Sequence, residues 1–207
     1  MQDDAWIFTD DGSYFDMEKG FSHEWSAMAA TFAIVDLETS GTDPKTCKIT
    51  EFAAIRVAPS GQILEKFSAL VADVPNARPA LASTDVNPSE ESQMVLPLAE
   101  ALSAFQSFIG NLPVFIHHAA FDLAFLDAEA KRCGGFFQNE VFETMDIFFM
   151  TWPNLPHLTV ERLAAHLNMS PPPCRPLDYL LIINRALVLV RELARSDIDY
   201  IRFGEAL

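Results

Sequence analysis

From Thr31 onward the chain switches between short unbroken apolar runs and longer stretches in which apolar residues return every three or four positions. Phe32-Ala33-Ile34-Val35, Phe52-Ala53-Ala54-Ile55-Arg56-Val57 and residues 63–71 read as three strands, with Pro59-Ser60-Gly61 turning the chain between the second and third. Three strands in succession predict an antiparallel meander. Leu98, Ala101, Leu102, Phe105, Phe108 and Ile109 then recur at helical spacing up to Gly110-Asn111, and Val114-Phe115-Ile116 reads as a short strand. Phe121, Ala124, Phe125 and Ala128 start another helix, stopped by Gly134-Gly135. A strand at Val141-Phe142 follows, and further helices fit residues 145–151, 159–167 and 177–195. Strands first, then strand and helix alternating, predict an α/β fold: a mixed sheet of about five strands covered by helices.

Length and composition sharpen this picture. A chain of 207 residues, half of them hydrophobic, supports one well-buried core with an appendage. The appendage is residues 1–30, with seven acids (Asp3, Asp4, Asp10, Asp11, Asp16, Glu18, Glu24) against Lys19, interleaved with Trp6, Phe8, Tyr14, Phe15, Phe21 and Trp25. Asp11-Gly12 between two aromatic runs predicts a hairpin turn, and an appended, partner-binding arm is the alternative reading. The main domain is expected to span 31–207. Met1-Gln2-Asp3-Asp4 has no secretory character, and the most apolar stretch, residues 179–190, is broken by Asn184 and Arg185 well short of the roughly 20 residues of a membrane span. Cys47, Cys133 and Cys174 form no Cys-x-x-Cys pair, so the expectation is a cytoplasmic protein without disulfides or structural zinc. The net charge of −15 argues against sequence-independent nucleic-acid binding by the whole surface, though not against a local site where divalent cations neutralise carboxylates and phosphate together.

Two constellations carry chemistry. In Ile34-Val35-Asp36-Leu37-Glu38-Thr39-Ser40-Gly41, residues two apart share a strand face, so Asp36 and Glu38 stand side by side where an apolar strand ends. Two solvated carboxylates are the ordinary outcome for an arbitrary Asp-x-Glu. The uninterrupted run 32–35 leading into this pair argues instead for a charged pair at the end of a buried strand, which is costly without a cation. In Val114-Phe115-Ile116-His117-His118-Ala119-Ala120-Phe121-Asp122, Asp122 falls in a helix's first turn, where the dipole alone favours an acid by roughly 0.3–1 kcal/mol. Taken with Asp36 and Glu38 it supplies a third oxygen ligand. An oxygen-only set suits Mg²⁺ or Mn²⁺, and paired ions of this kind support in-line attack on a phosphodiester.

Asp36-Leu37-Glu38-Thr39-Ser40-Gly41-Thr42-Asp43-Pro44 followed by residues 49–57 resembles the first motif of the DEDD 3′→5′ exonuclease superfamily, which includes the proofreading subunit of bacterial replicative polymerase. Residues 117–126 are similar to the second motif, with His118 where Asn is typical. Asn87-Pro88, Phe142-Glu143-Thr144 in place of the usual Asp-Thr pair, and residues 158–167 fall in the expected order, and the likeness spans residues 31–195. The resemblance implies a ribonuclease H-like sheet with helices on both faces, two Mg²⁺ or Mn²⁺ ions on Asp36, Glu38 and Asp122, and hydrolysis at the 3′ end of single-stranded DNA or RNA. It further implies that Thr39, Leu37, His117 and Phe121 steady the substrate, with Thr39 and nearby backbone on the terminal nucleotide.

The third motif departs from that pattern. Where the DEDDh branch has His-x-Ala-Leu-x-Asp, this chain has Cys174-Arg175-Pro176-Leu177-Asp178-Tyr179. A gapless alignment puts Cys174 at the position of the general base and Tyr179 at that of the last metal ligand. Asp178 lies one residue early, about 100° round a formed helix. Pro176, favoured at the first helical position, offers a way to re-phase that helix, so both placements of Asp178 stay open here. Cys174 is a candidate proton acceptor or a small residue packed under the proline loop. His157 reads as a cap or surface residue and His166 as helix decoration. Arg185, Arg191, Arg195 and Arg202 read as a solvated helix face that balances the acid, or as contacts to a phosphate strand. A catalytically impaired relative that binds nucleic acid or protein is the alternative function, with residues 1–30 the expected protein-binding segment.

Overall fold

The computed structural model describes the backbone of residues 6–8, 14–16, 22–72, 74, 94–172 and 175–204, and the side chains of 23–72, 74, 94–172 and 175–194. Strands β1 (Trp6–Phe8) and β2 (Tyr14–Asp16) pair antiparallel, as the hairpin reading required; its turn at Asp11-Gly12 lies outside the described residues. Helix α1 (Ser22–Met28), which the periodicity did not reveal, buries Ala27 and Met28 in the core of the main domain.

The main sheet has the order β6-β5-β4-β3-β7-β8: β3 (Phe32–Thr39), β4 (Ile49–Val57), β5 (Ile63–Val71), β6 (Met94–Leu96), β7 (Val114–Ile116) and β8 (Val141–Glu143). The meander β3–β4–β5 is antiparallel, while β6, β7 and β8 each join parallel to a neighbour. Six strands stand where about five were expected. The extra one, β6, is a three-residue edge strand whose Met94 and Val95 are exposed, so neither alternation nor a buried run marks it.

Strand parity sorts the core. Phe32 and Ile34 of β3, with Ala53, Ile55 and Val57 of β4, face α1, α4 (Thr144–Thr151), α5 (Val160–His166) and α6 (Pro176–Gly204). Ala33, Val35 and Leu37, with Phe52 and Ala54, face α2 (Leu98–Ile109) and α3 (Ala119–Arg132). Helices therefore cover both faces, and both must be apolar, which is why β3 reads as an unbroken run. A fully buried Val, Leu, Ile or Phe contributes about 1.5–3 kcal/mol, and β3 supplies Phe32 and Ile34 to one layer and Val35 and Leu37 to the other. Asp36 continues the parity of Phe32 and Ile34, so the buried strand ends in a carboxylate on the α6 side.

Candidate active site

β3 delivers two carboxylates and β4 a third. Asp36 and Glu38 share one face, and the antiparallel register sets Glu38 opposite Glu51, which is buried and accepts a 2.8 Å hydrogen bond from Ser68 Oγ. The Asp36 carboxyl is pushed up to about 8, first by burial and then by Glu38, partly offset by the Leu37 amide and raised again by Glu51. Burial and Glu51 likewise raise Glu38. Sequence reading missed Glu51. Its signal was the fold-back between two adjacent strands, which brings acids 13 positions apart into register.

The second motif adds Asp122. The parallel register Val35↔Ile116 sets Asp36 level with the turn that begins at His117, and α3 starts two residues later. Asp122 lies within the first turns of α3, is only 4 % exposed, and its Oδ2 is buried without a hydrogen-bond partner. Burial, then Asp36, Glu143 and Glu38, push its carboxyl up to about 9. Asp36 and Glu38 therefore act on Asp122 electrostatically across the C-terminal edge of the sheet.

The substrate candidates occupy the same edge. Thr39 Oγ donates to Gly41 O at 2.7 Å and fixes the turn after β3. The Leu37 side chain is buried in the core, which leaves its main chain for any contact with substrate. Phe121 is half-buried, packs on Phe125 and lies parallel to the exposed ring of His118 at 6.0 Å. Both ring nitrogens of His117 have protein partners: Nδ1 with Thr144 Oγ1 at 2.8 Å and Nε2 with Leu158 O at 2.6 Å. A carbonyl only accepts, so Nε2 carries the proton; burial holds the ring neutral, and the Thr144 hydroxyl donates to Nδ1. His117 thus braces the second motif against the α4 and α5 starts. His157 is exposed with φ 54°, and His166 rests on Trp152 at 4.9 Å, both within the predicted surface and helix roles.

A second feature escaped the sequence. Glu129 of α3 is fully buried and pairs with Arg132 at 2.7 Å and Lys48 at 3.6 Å, while Arg132 Nη2 donates to Pro44 O at 2.6 Å. This network pins the loop that follows Thr39 onto α3. A Glu-x-x-Arg spacing on a helix looks like surface charge in a sequence, and only the opposing loop makes it buried.

The third motif forms the start of α6. Cys174 and the neighbouring Pro173 lie outside the described residues, as does Asn87-Pro88. Pro176 is the first residue of α6, as its chemistry favours, and the amides of Asp178 and Tyr179 both donate to Arg175 O. The buried face of α6 is broad, with Leu180, Ile182, Ile183, Ala186, Leu187 and Val190 in the core. By helix phase Tyr179 falls within that face, and Asp178, one turn before Ile182, lies at its margin. Asp178 is half-buried at the positive end of the helix dipole. Arg185 is exposed and 3.9 Å from Glu192, a weak surface pair.

The exonuclease family model, named for RNase T, matches residues 33–171, more than half of the chain and both intact motifs. The chain belongs to the exonuclease family. Within the DEDD 3′→5′ superfamily, it is 28 % identical over 142 residues to DNA polymerase III PolC-type of Clostridium perfringens, covering 67 % of this chain and 10 % of that protein. The PolC-type polymerase of Staphylococcus aureus is 30 % identical over 123 residues, 57 % of this chain and 8 % of its own. This chain thus spans about a tenth of the curated relatives it matches. Among solved structures, the zinc-bound Escherichia coli ExoI–ssDNA complex superposes with a TM-score of 0.65 at 18 % identity, over 84 % of this chain and 43 % of that one. The complex of E. coli exonuclease I with a dT13 oligonucleotide gives 0.64 at 20 % identity, over 83 % and 43 %. These neighbours share the fold of this exonuclease domain.

The family implies divalent ions, and the donor set fits them in chemistry. Its ligating atoms are all carboxylate oxygens, one of them orphaned and two held protonated at neutral pH by burial and mutual repulsion. Among the described residues no three His, Cys, Asp or Glu side chains are gathered round one point, so an ion would draw the carboxylates inward from the positions they hold. Mg²⁺ tolerates few protein ligands because it keeps several waters. Among the described residues no helix is long and apolar enough to cross a membrane.

Proposed function

We propose that this exonuclease domain hydrolyses phosphodiester bonds one nucleotide at a time from the 3′ end of a single strand, with Mg²⁺ or Mn²⁺ held by Asp36, Glu38 and Asp122. The observation that carries the reading is the pair Asp36 and Asp122, two acids pushed toward neutrality, with Asp36 raising Asp122 and Asp122 Oδ2 buried without a hydrogen-bond partner. The resemblance to E. coli exonuclease I bound to ssDNA and to dT13 supports a single-stranded substrate.

Bound divalent cations would supply Lewis-acid stabilisation of the scissile phosphate and a lowered pKa for water. The chain's own residues do the rest. Asp36 and Asp122 would hold the cations as carboxylates, giving up the protons that burial favours, and their negative charge would offset the cations' charge beside the phosphate. Thr39 and the main chain at Leu37 set the terminal nucleotide, the Phe121 ring provides an apolar face for a base, and His117 keeps α3 in place. Asp178 completes the ligand set only if the α6 start turns toward β3. Cys174 stands at the family's base position and is the candidate proton acceptor.

The experiment is time-resolved cleavage of an end-labelled single-stranded oligonucleotide with Mg²⁺ and with Mn²⁺. A metal-dependent ladder that disappears in Asp36→Ala is expected. An Asp36→Ala protein as active as the parent overturns the assignment, and binding without turnover in the parent makes the domain a nucleic-acid-binding relative. Cys174→Ala in the same assay reads whether the thiol takes part.

A further inference from the structure

β8 ends in a carboxylate that the proposed reaction does not use. We propose that Glu143 is a positioning residue that fixes the start of α3, and through it Asp122, against the edge of the sheet. Glu143 Oε1 accepts the amides of His118 at 2.9 Å and Met145 at 3.0 Å, and Oε2 accepts that of Ala119 at 2.6 Å. His118 and Ala119 open α3, and Met145 opens α4, so one side chain serves two helix starts. Each helix begins with amides that have no partner of their own.

In α3 the cap residue's own side chain takes no part in capping. His118 has φ 68°, in the left-handed region, and makes no side-chain capping bond. That backbone is strained for a residue with a Cβ and persists only where its surroundings hold it. The chain turns there from β7 into α3, and the carboxylate of a different strand accepts the amides on both sides of the turn. Asp122 follows Ala119 by three residues, one helical turn on, so rotation of the first turn carries its carboxylate away from Asp36. The next residues brace the same join: Thr144 to His117, and His117 to Leu158. Residues 117–119 and 143–144 thus meet through side chains that leave α3 one way to start. The role of Asp122 in this inference rests on the proposed function; the hold on the turn rests on the geometry alone.

The test compares Glu143→Ala and Glu143→Gln with Asn139→Ala in the full chain. Asn139 donates to Gly110 O and Leu112 O at the opposite end of the sheet, so its variant loses hydrogen bonds without touching the site. Three quantities are read: hydrogen exchange at the His118 and Ala119 amides, Mn²⁺ affinity, and kcat and KM on a single-stranded oligonucleotide. In Glu143→Ala, exchange at both amides is expected to rise at least ~10-fold and Mn²⁺ affinity to fall ~10–100-fold, the usual cost of removing a group that orients a ligand. The fall in kcat should follow the metal and be partly recovered with excess Mn²⁺, with KM within about twofold. Asn139→Ala should leave Mn²⁺ affinity at the wild-type value. Wild-type exchange and Mn²⁺ affinity in Glu143→Ala overturn the proposal, as does an equal loss of affinity in Asn139→Ala. If Glu143→Ala does not fold, Glu143→Gln decides: its amide group cannot accept all three N–H groups, and wild-type Mn²⁺ affinity there overturns the proposal. A parent protein that neither binds Mn²⁺ nor cuts defeats the proposed function instead, and exchange at His118 and Ala119 still reports whether Glu143 holds the turn.

Discussion

The two ends of the central strands are built on opposite principles. Where β4 ends and β5 begins, the charges are matched: Arg56 donates to Phe108 O at 2.6 Å and Glu65 at 2.7 Å, with its guanidinium 4.8 Å above the Phe108 ring. Close by, Asn184 of α6 donates to Gly61 O, and Gly61 sits at φ 86° with Val188 so near that a Cβ would lie 2.3 Å from it. Only glycine fits a left-handed turn pressed that closely on a helix. At the other end, the side chains acting on Asp36, Glu38 and Asp122 are other carboxylates. An open groove of about 510 Å³, lined by Thr31, Arg56, Leu64 and residues 109–112 among others, belongs to the matched end. That groove lies at the end of the sheet away from Asp36, Glu38 and Asp122.

The comparison can be broken by variants at either end. Asp36→Ala is expected to lower kcat/KM by ~10³-fold or more, because several kcal/mol of cation stabilisation is lost; a loss under tenfold in the oligonucleotide assay contradicts the charge asymmetry. Next in size is the pH response of the ion. Asp36 and Asp122 hold protons up to about pH 8 and 9, so Mn²⁺ must displace them, and affinity by calorimetry should climb up to ~10-fold per pH unit for each proton released between pH 6 and 9. Stability without metal runs the other way. A carboxyl raised by folding stabilises the folded state fully below its unfolded value and loses that contribution as pH passes the folded one. The chelated protein should therefore melt progressively lower as pH rises from about 4 toward 8–9 and level off above, and Asp122→Asn should flatten that fall; a profile independent of pH speaks against the raised values.

At the matched end, Arg56→Ala should cost about 1.5–3 kcal/mol in chemical denaturation, from hydrogen bonds to a charged group and lost ring contact, with kcat within about twofold. A large kcat defect there would erase the distinction between the two ends. Smallest of all, Asp178→Asn should change kcat by less than about tenfold, since the helix phase leaves that side chain at the margin of the buried face. A loss as deep as that of Asp36→Ala would mean that the α6 start turns its acid into the site.

Much of this was legible before any coordinates. The apolar run 32–35 ending at Asp36, and the pair of motifs around Asp36 and Asp122, pointed to the strand ends where these carboxylates lie. The parts that stayed hidden share one cause: they depend on a partner distant in sequence. Glu51 enters the acid cluster because a strand folds back, Glu129 is buried because the loop 40–48 lies over it, and Glu143 caps a helix that begins 24 residues earlier. β6 was missed because a three-residue edge strand takes its identity from Ala69, Leu70 and Val71 beside it and not from its own pattern. The substituted third motif was visible at once, but the placement of Asp178 depended on where α6 starts.

By itself the sequence determined which strands are buried on both faces, the helical stripes that cover them, and the carboxylates at the strand ends, because hydrophobic periodicity and motif spacing are local properties of the chain. Tertiary structure alone decided how strongly those acids repel, which buried oxygens lack a partner, and which far residue accepts the amides at the start of α3. Burial and electrostatic coupling fall off with distance in space, and the chain's linear order does not record that distance.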